Sequence, residues 1–469
     1  MNDTVSIPYA DTPLPAPMVY AMALTGLVVL VMLISTLVRY LRADPLTRCS
    51  IRQASRIRRG WPRLARTLGL VATDRTPTLL QTLSTSGSNG GRPEPRILIP
   101  EVRTKPDRYG VVVSMKTVPK VGLEEVQKHA SHLADAWGCT RVSVTPAKPG
   151  HLTIRAVRDE PLLVPYDLTP SGKPPADLSV WDLGIDEYAL ASTLRMSNVP
   201  GVCVAGLPGF GKTSLINGLI CQLAPSDAVQ IAVADGKVSH AHEGDYADVT
   251  DRLFAFVGDD LEAANKLFTR LVELRRARSS SIRRVLGSPN MWAKGPSKAW
   301  PLVVLVIDEA HTYFRDYKGS DPATKKFAAL SADNARLVED LVKKGRSVGM
   351  VVIVATQKAT GDAIPTFIRD VCPVSLSFAQ KTTEAAVAAL GEDIRNWPDA
   401  NPVGMQDSGF VGVATMASQG REGFTRIRIP YVNPDDTARI ARSSARHTAD
   451  PTTLLAALDP HPLTLVKTD

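Results

Sequence analysis

The sequence predicts an α/β chain built on a mostly parallel sheet, preceded by one transmembrane helix and a small α+β domain. Three observations carry that expectation. Five apolar runs (residues 201–205, 229–234, 302–307, 350–355 and 374–378) alternate with helical patterns, as strands covered on both faces by helices do. The first run leads directly into Gly206-Leu207-Pro208-Gly209-Phe210-Gly211-Lys212-Thr213, a complete G-x-x-x-x-G-K-[ST] loop. Far upstream, residues 18–38 carry no charge and are rich in Leu, Val, Met and Ala.

Composition sets the outer limits. The chain has 469 residues, 44% hydrophobic and 22% charged, which is ordinary globular composition for two or three domains. A net charge of +8 suits an anionic partner, either nucleic acid or an acidic membrane face. The five cysteines are scattered, with no C-x-x-C pair, which argues against a metal cluster or a disulfide framework.

Residues 1–17 read as a short extracytoplasmic N-terminus. As a helix, residues 18–38 would span about 31 Å, enough for the hydrocarbon core of a bilayer. Only Asp3 and Asp11 precede that run, whereas Arg39, Arg42, Arg48, Arg52, Arg56, Arg58, Arg59, Arg63 and Arg66 follow it. The positive-inside rule therefore predicts a single-pass protein of the cell membrane with a cytoplasmic body. A cleaved signal peptide would need a basic n-region, which is missing here. The basic segment 39–83 suits anionic headgroups.

Residues 84–96 (Ser, Gly, Asn, Pro) read as a linker, and 97–161 as the small α+β domain with a β-α-β-β pattern and no chemistry of its own. A second Pro/Gly-rich connection, 165–176, leads into a motor domain expected at 177–433. Residues 434–469 look like a polar tail.

The loop at 206–213 needs its residue types for a physical reason. Glycines let backbone N–H groups close on phosphate oxygens, and the helix that follows points its positive end at them. Lys212 is expected to reach the β- and γ-phosphates, Thr213 to ligate Mg²⁺, and Ser214 to complete the nucleotide contacts. The run 302–307 ends in Asp308-Glu309. An acid at a buried strand's end would hold Mg²⁺, and the next acid would activate a water, so Asp308 is the metal residue and Glu309 the base. The run 350–355 ends in Thr356-Gln357, which sets Gln357 to sense the γ-phosphate. Together these predict a RecA-like P-loop ATPase using ATP and Mg²⁺.

Gly345-Arg346-Ser347-Val348-Gly349 followed by Val354-Ala355-Thr356-Gln357-Lys358 resembles the signature of the FtsK/SpoIIIE DNA translocases. The phosphate loop, Asp308-Glu309, Ala234-Asp235-Gly236-Lys237 (where the family shows Asp-Pro-Lys) and residues 367–378 fall in that family's order. The resemblance covers roughly residues 181–432. It implies a homo-oligomeric, usually hexameric, ring that pumps double-stranded DNA, with Arg346 acting in trans on the neighbour's ATP. The chain departs from the family at Phe210, where many members have a smaller residue, at Lys358 for Arg, and in a longer stretch 315–344. It shows no C-terminal winged helix. One span, a small α+β unit and one motor resemble the compact conjugal transfer proteins of actinobacterial plasmids and integrative elements. The basic run Arg275, Arg276, Arg278, Arg283, Arg284 is a candidate DNA grip or a solvated helix face. The alternative function is a membrane-anchored ATPase of a protein-secretion system, and a scaffold without turnover is a third reading.

Overall fold

The computed structural model describes residues 24–27, 30–31, 34–35, 37–38, 40–74, 96–165, 167–357, 364–418 and 423–458. The chain forms two compact units, Met1–Asp159 and Glu160–Asp469. Among the described residues no helix is long and apolar enough to cross a membrane. The expected span at 18–38 lies largely outside the described residues, as do the expected N-terminal segment 1–17 and nearly all of the linker 84–96.

The first unit opens with helix α1 (Pro45–Thr67). Asp44 starts it by accepting the Leu46 and Thr47 amides, both at 3.1 Å, and Pro45 fits the first turn. Ala54, Ile57, Trp61 and Ala65 recur at helical spacing and are buried, while Arg52, Arg56, Arg59 and Arg63 stay exposed. Residues 45–67 of the segment expected as a basic run for headgroups are thus an amphipathic helix of the small unit, and its apolar face is part of that unit's core. Two short strands, β1 (Ala72–Asp74) and β2 (Arg96–Leu98), pair antiparallel. Strands β3 (Val102–Pro106), β4 (Gly110–Lys116), β5 (Arg141–Lys148) and β6 (His151–Val157) form an antiparallel sheet in the order β3-β4-β6-β5. Helices α2 (Leu123–Lys128) and α3 (Ala130–Trp137) lie between β4 and β5 in sequence. The Trp61 indole donates to the Pro100 carbonyl at 2.7 Å, and its ring sits 6.2 Å from that of Trp137.

The second unit is a ten-stranded sheet: β7 (Val180–Asp186), β8 (Ala191–Arg195), β9 (Gly201–Ala205), β10 (Val229–Asp235), β11 (Leu253–Val257), β12 (Leu302–Asp308), β13 (Met350–Thr356), β14 (Val374–Ser377), β15 (Val413–Ala417) and β16 (Phe424–Arg428). Their spatial order is β11-β10-β12-β13-β9-β14-β15-β16-β7-β8, parallel from β11 to β14 and antiparallel from β14 to β8. Every residue of β9, β10, β12 and β13 is buried, which explains why they read as unbroken apolar runs.

Helices cover this sheet, among them α4 (Lys212–Leu223), α5 (Leu261–Leu286) and α6 (Pro322–Gly345). Side chains of α5 tie it to α6: Arg275 pairs with Asp340, and Asn265 donates to Asp333 at 2.8 Å. The basic run on α5 therefore divides. Arg278 is also buried, bonding the Pro301 and Val348 carbonyls at 2.9 and 3.0 Å beneath the Trp300 ring. Only Arg276, Arg283 and Arg284 of that run face outward.

Residues 434–458 of the stretch expected as a polar tail belong to this unit. Helix α7 (Pro434–Ser444) buries Ile440 against Cys221 and Ala224, and Leu455 joins the main core. Gln230, fully buried on β10, donates to the His447 carbonyl at 2.8 Å and accepts the Ala449 amide at 2.9 Å.

Candidate functional site

The loop 206–211 leaves the carboxyl end of β9 and enters α4. Gly206, Gly209 and Gly211 all have positive φ (152°, 77° and 110°). A side chain at Gly206 would lie 2.5 Å from the Phe378 Cβ, and one at Gly211 would lie 3.0 Å from the Gly412 Cα, so packing as well as conformation demands glycine there. Leu207 is held through its amide on the Ala379 carbonyl at 2.9 Å. Phe210 packs with Leu162, Met405 and Phe410 in a satellite cluster. Helix α4 begins at Gly211 with no side-chain cap, so its first amides have no side-chain partner.

Lys212 is buried and donates to the Gly206 and Leu207 carbonyls of its own loop, at 2.6 and 3.1 Å. Burial pulls the ammonium below its ordinary pKa, with Asp308 acting the other way. Thr213 donates to Asp245 at 3.2 Å.

Strand β12 ends in the same region. Asp308 is fully buried; its Oδ1 accepts the Glu309 amide at 2.8 Å, and its Oδ2 accepts Lys237 at 2.9 Å and the Tyr246 hydroxyl at 3.1 Å. Burial, reinforced by Asp308, drives the Tyr246 phenol well above its usual pKa, so it stays a donor. Burial also works against the Lys237 ammonium, but Asp308 beside it more than reverses that and holds its pKa above the ordinary value. Asp235, register partner of Asp308 on β10, is pushed up to about 6 by burial. Glu309 stands at φ 51°, left-handed backbone that costs a non-glycine residue about 1–2 kcal/mol, and its Oε2 is buried without a partner.

Strand β13 lies between β9 and β12, so Gln357 at its end falls between the phosphate loop and Asp308. Gln357 lines a cleft of roughly 740 Å³ together with Pro208, Gly209, Gly211, Lys212, Thr213 and Ser214. Lys237, Asp245, Arg428 and Tyr431 also line it. Arg346 is elsewhere. It precedes the amino end of β13, while the phosphate loop follows the carboxyl end of the parallel β9. The length of β13 alone, about 20 Å, separates them within one chain.

The motifs brought Lys212, Thr213, Asp308 and Gln357 to notice, and the fold gathers all four at one end of the sheet. Reading the sequence missed Asp245, Tyr246 and Arg428. The first two sit on the 3₁₀ stretch Gly244–Arg252, which has no motif. Arg428 sits inside β16 and hands its guanidinium to the Val411, Leu162 and Gly409 carbonyls.

The sequence aligns with the "DNA translocase FtsK" of Clostridium tetani at 27% identity over 193 residues, 39% of this chain and 24% of the relative. It aligns with that of Helicobacter pylori J99 at 24% over 265 residues, 55% of this chain and 28% of the relative. The chain is similar in sequence to the FtsK DNA translocases. It spans about a quarter of the length of these curated relatives. No family model matches it. Among solved structures it is similar to "pCW3 conjugation coupling protein TcpA monomer form with ATPgS", at 16% identity and TM-score 0.48, over 87% of this chain and 99% of that one. It is also similar to the cytoplasmic domain of the Thermomonospora curvata Type VII secretion ATPase EccC, at 17% identity and TM-score 0.45, over 62% of this chain and 34% of that one.

Proposed function

We propose that this chain is a membrane-anchored ATPase that drives double-stranded DNA, working as a ring, in DNA transfer between cells. The observation that carries the reading is the convergence of three parallel strand ends on one cleft. Lys212 and Thr213 follow β9 and Gln357 follows β13, all three lining the cleft, and Asp308 at the end of β12 lies buried behind Lys237 of the same lining.

The donor set fits a Mg-nucleotide. Loop amides and the α4 amino terminus would donate to phosphate oxygens, Lys212 would neutralise them, and Thr213 with Asp308 would supply hard oxygen ligands. Bound Mg²⁺ would offset phosphate charge during transfer. Glu309, with one carboxylate oxygen unpartnered, orients and deprotonates the attacking water. Gln357 senses the terminal phosphate. Arg346 reaches a neighbouring subunit's nucleotide from the opposite, amino-terminal end of the central strands, which makes the assembly part of the site. This is also why a ring, and the family's hexamer in particular, suits the chain.

Membrane anchoring is supported by the described residues of the expected span. Leu24, Leu27, Leu30, Ile34 and Leu37 are helical and each more than half exposed, which suits lipid better than water. Extraction of the full chain from membranes by carbonate at high pH would overturn a spanning helix.

ATP turnover, measured with and without linear double-stranded DNA across a salt series, tests the function. Stimulation by DNA that fades as salt rises is expected for a motor gripping phosphates. Turnover indifferent to DNA but raised by a polypeptide would instead favour a secretion ATPase.

A further inference from the structure

Three groups expected to meet the Mg-nucleotide are engaged inside the chain. Lys212 holds two carbonyls of its own loop, Thr213 holds Asp245, and Asp308 holds Lys237. The last of these is the informative one. The Lys237 ammonium stands between two carboxylates, 2.9 Å from Asp308 and 3.6 Å from Asp245. Asp245 also accepts the Thr213 hydroxyl, and it does so through the same Oδ2 that Lys237 approaches. A positive charge therefore lies between Asp308 and the carboxylate to which Thr213 donates.

That point is built rather than incidental. Asp245 is fixed from both sides: Asn217 of α4 donates to its carbonyl at 3.0 Å, and Tyr246 next to it is fully buried with its hydroxyl on Asp308. Gly244 takes a left-handed φ of 71°, and a side chain there would lie 2.6 Å from Val238. A second observation points to a cation. Asp235, also fully buried and in register with Asp308, leaves its Oδ2 with no hydrogen-bond partner. Two fully buried carboxylates and a third beside them outnumber the two ammonium groups near them, Lys237 and Lys212, and Lys212 is turned onto the carbonyls of its own loop.

We propose that Lys237 is the resident cation of this seat, and that Asp245 joins Asp308 and Thr213 in holding the divalent ion that displaces it. Lys237 lines the cleft, so the displaced ammonium stays among the groups that face the nucleotide. Loading is then an exchange of one cation for another, and an empty subunit holds its own metal seat closed. The inference rests on the nucleotide-binding reading above, but its test needs no nucleotide.

The experiment is Mn²⁺ binding to the nucleotide-free full chain, followed by electron paramagnetic resonance. Removing the competing ammonium with Lys237→Met should tighten the binding of one Mn²⁺ per chain by at least about tenfold over wild type. Adding Asp245→Asn to that variant should abolish the gain. Where Lys237→Met fails to fold, as judged by circular dichroism, Lys237→Gln removes the charge and keeps a polar side chain of similar reach. Equal Mn²⁺ affinity in the wild type and a folded Lys237 variant would overturn the proposal, as would a gain that survives Asp245→Asn. Failure of the wild type to bind any nucleotide is read separately, by titration with fluorescent ATP. That result would count against the function and leave the Mn²⁺ outcome to judge the exchange.

Discussion

The Gly412 amide donates to the Phe210 carbonyl at 3.0 Å and fastens the phosphate loop to the antiparallel half of the sheet. The two residues lie on opposite sides of β14, since Phe210 follows β9 and Gly412 precedes β15. Gly412 stands at φ 83°, and a Cβ there would meet the Arg428 Nη1 at 3.3 Å. Arg428 in turn holds the Gly409 carbonyl at 2.7 Å, so one buried guanidinium braces the segment that braces the loop. Gly412→Ala should therefore cost about 1–2 kcal/mol through its backbone and weaken ATP binding roughly tenfold. Gly404→Ala, on an open turn with nothing within 4 Å, is the control and should leave both unchanged. Thermal melting and a fluorescent-nucleotide titration read the two effects, and equal behaviour of both variants would remove the latch from the account.

Glu309→Gln separates binding from turnover. The carboxylate has no partner on Oε2, so the amide enters without breaking a hydrogen bond to that oxygen. ATP affinity should stay within about twofold of wild type, while hydrolysis falls by about 10²–10⁴-fold as the base is lost. Unaltered turnover would move the base to another residue.

How much of this was legible follows from where each residue's partners lie. Strands β9, β10, β12 and β13 were readable because burial on both faces keeps them almost wholly apolar. Strands β15 and β16 were not. Phe424–Arg428 carries Arg426, which donates to Glu187 at 2.9 and 3.0 Å, and the fully buried Arg428, and two arginines in five residues read as surface. Helix α1 was hidden the same way, because its arginines outweigh an apolar face of only a few residues. In the site, Lys212 and Asp308 belong to contiguous motifs. Asp245 and Tyr246 matter only because the fold brings the 3₁₀ stretch Gly244–Arg252 against the ends of β12 and α4, a closeness with no trace in local spacing.

Arg346 makes a prediction about assembly. With the length of β13 between it and its own phosphate loop, its effect on hydrolysis must come through a neighbour. Arg346→Ala should lower turnover by about 10³-fold while each chain still binds ATP. Mixing it with Glu309→Gln chains, themselves inactive, should restore part of the activity. An Arg346 from one variant then faces an intact Glu309 from the other. Mixed rings that stay as inactive as either parent would rule out action in trans.

Asp340 sets a pH dependence outside the site. Burial alone would raise its carboxyl, but Lys344, at 2.5 Å, and Arg275 outweigh that and hold its pKa below the ordinary 3.8. A depressed acid stabilises the fold above its unfolded pKa, and that contribution is lost as pH falls through the folded value. Asp340→Asn should therefore cost about 1.5–3 kcal/mol at pH 7, the scale of a hydrogen bond to a charged group. Much of that cost is the Arg275 guanidinium, largely buried on α5 and left without its carboxylate. The deficit should begin to close below about pH 4 and be gone once both folded and unfolded carboxyls are protonated. Urea unfolding of wild type and variant across pH 2.5–8 measures it. A gap that stayed constant down to the lowest pH would assign the loss to packing between α5 and α6 rather than to the charge.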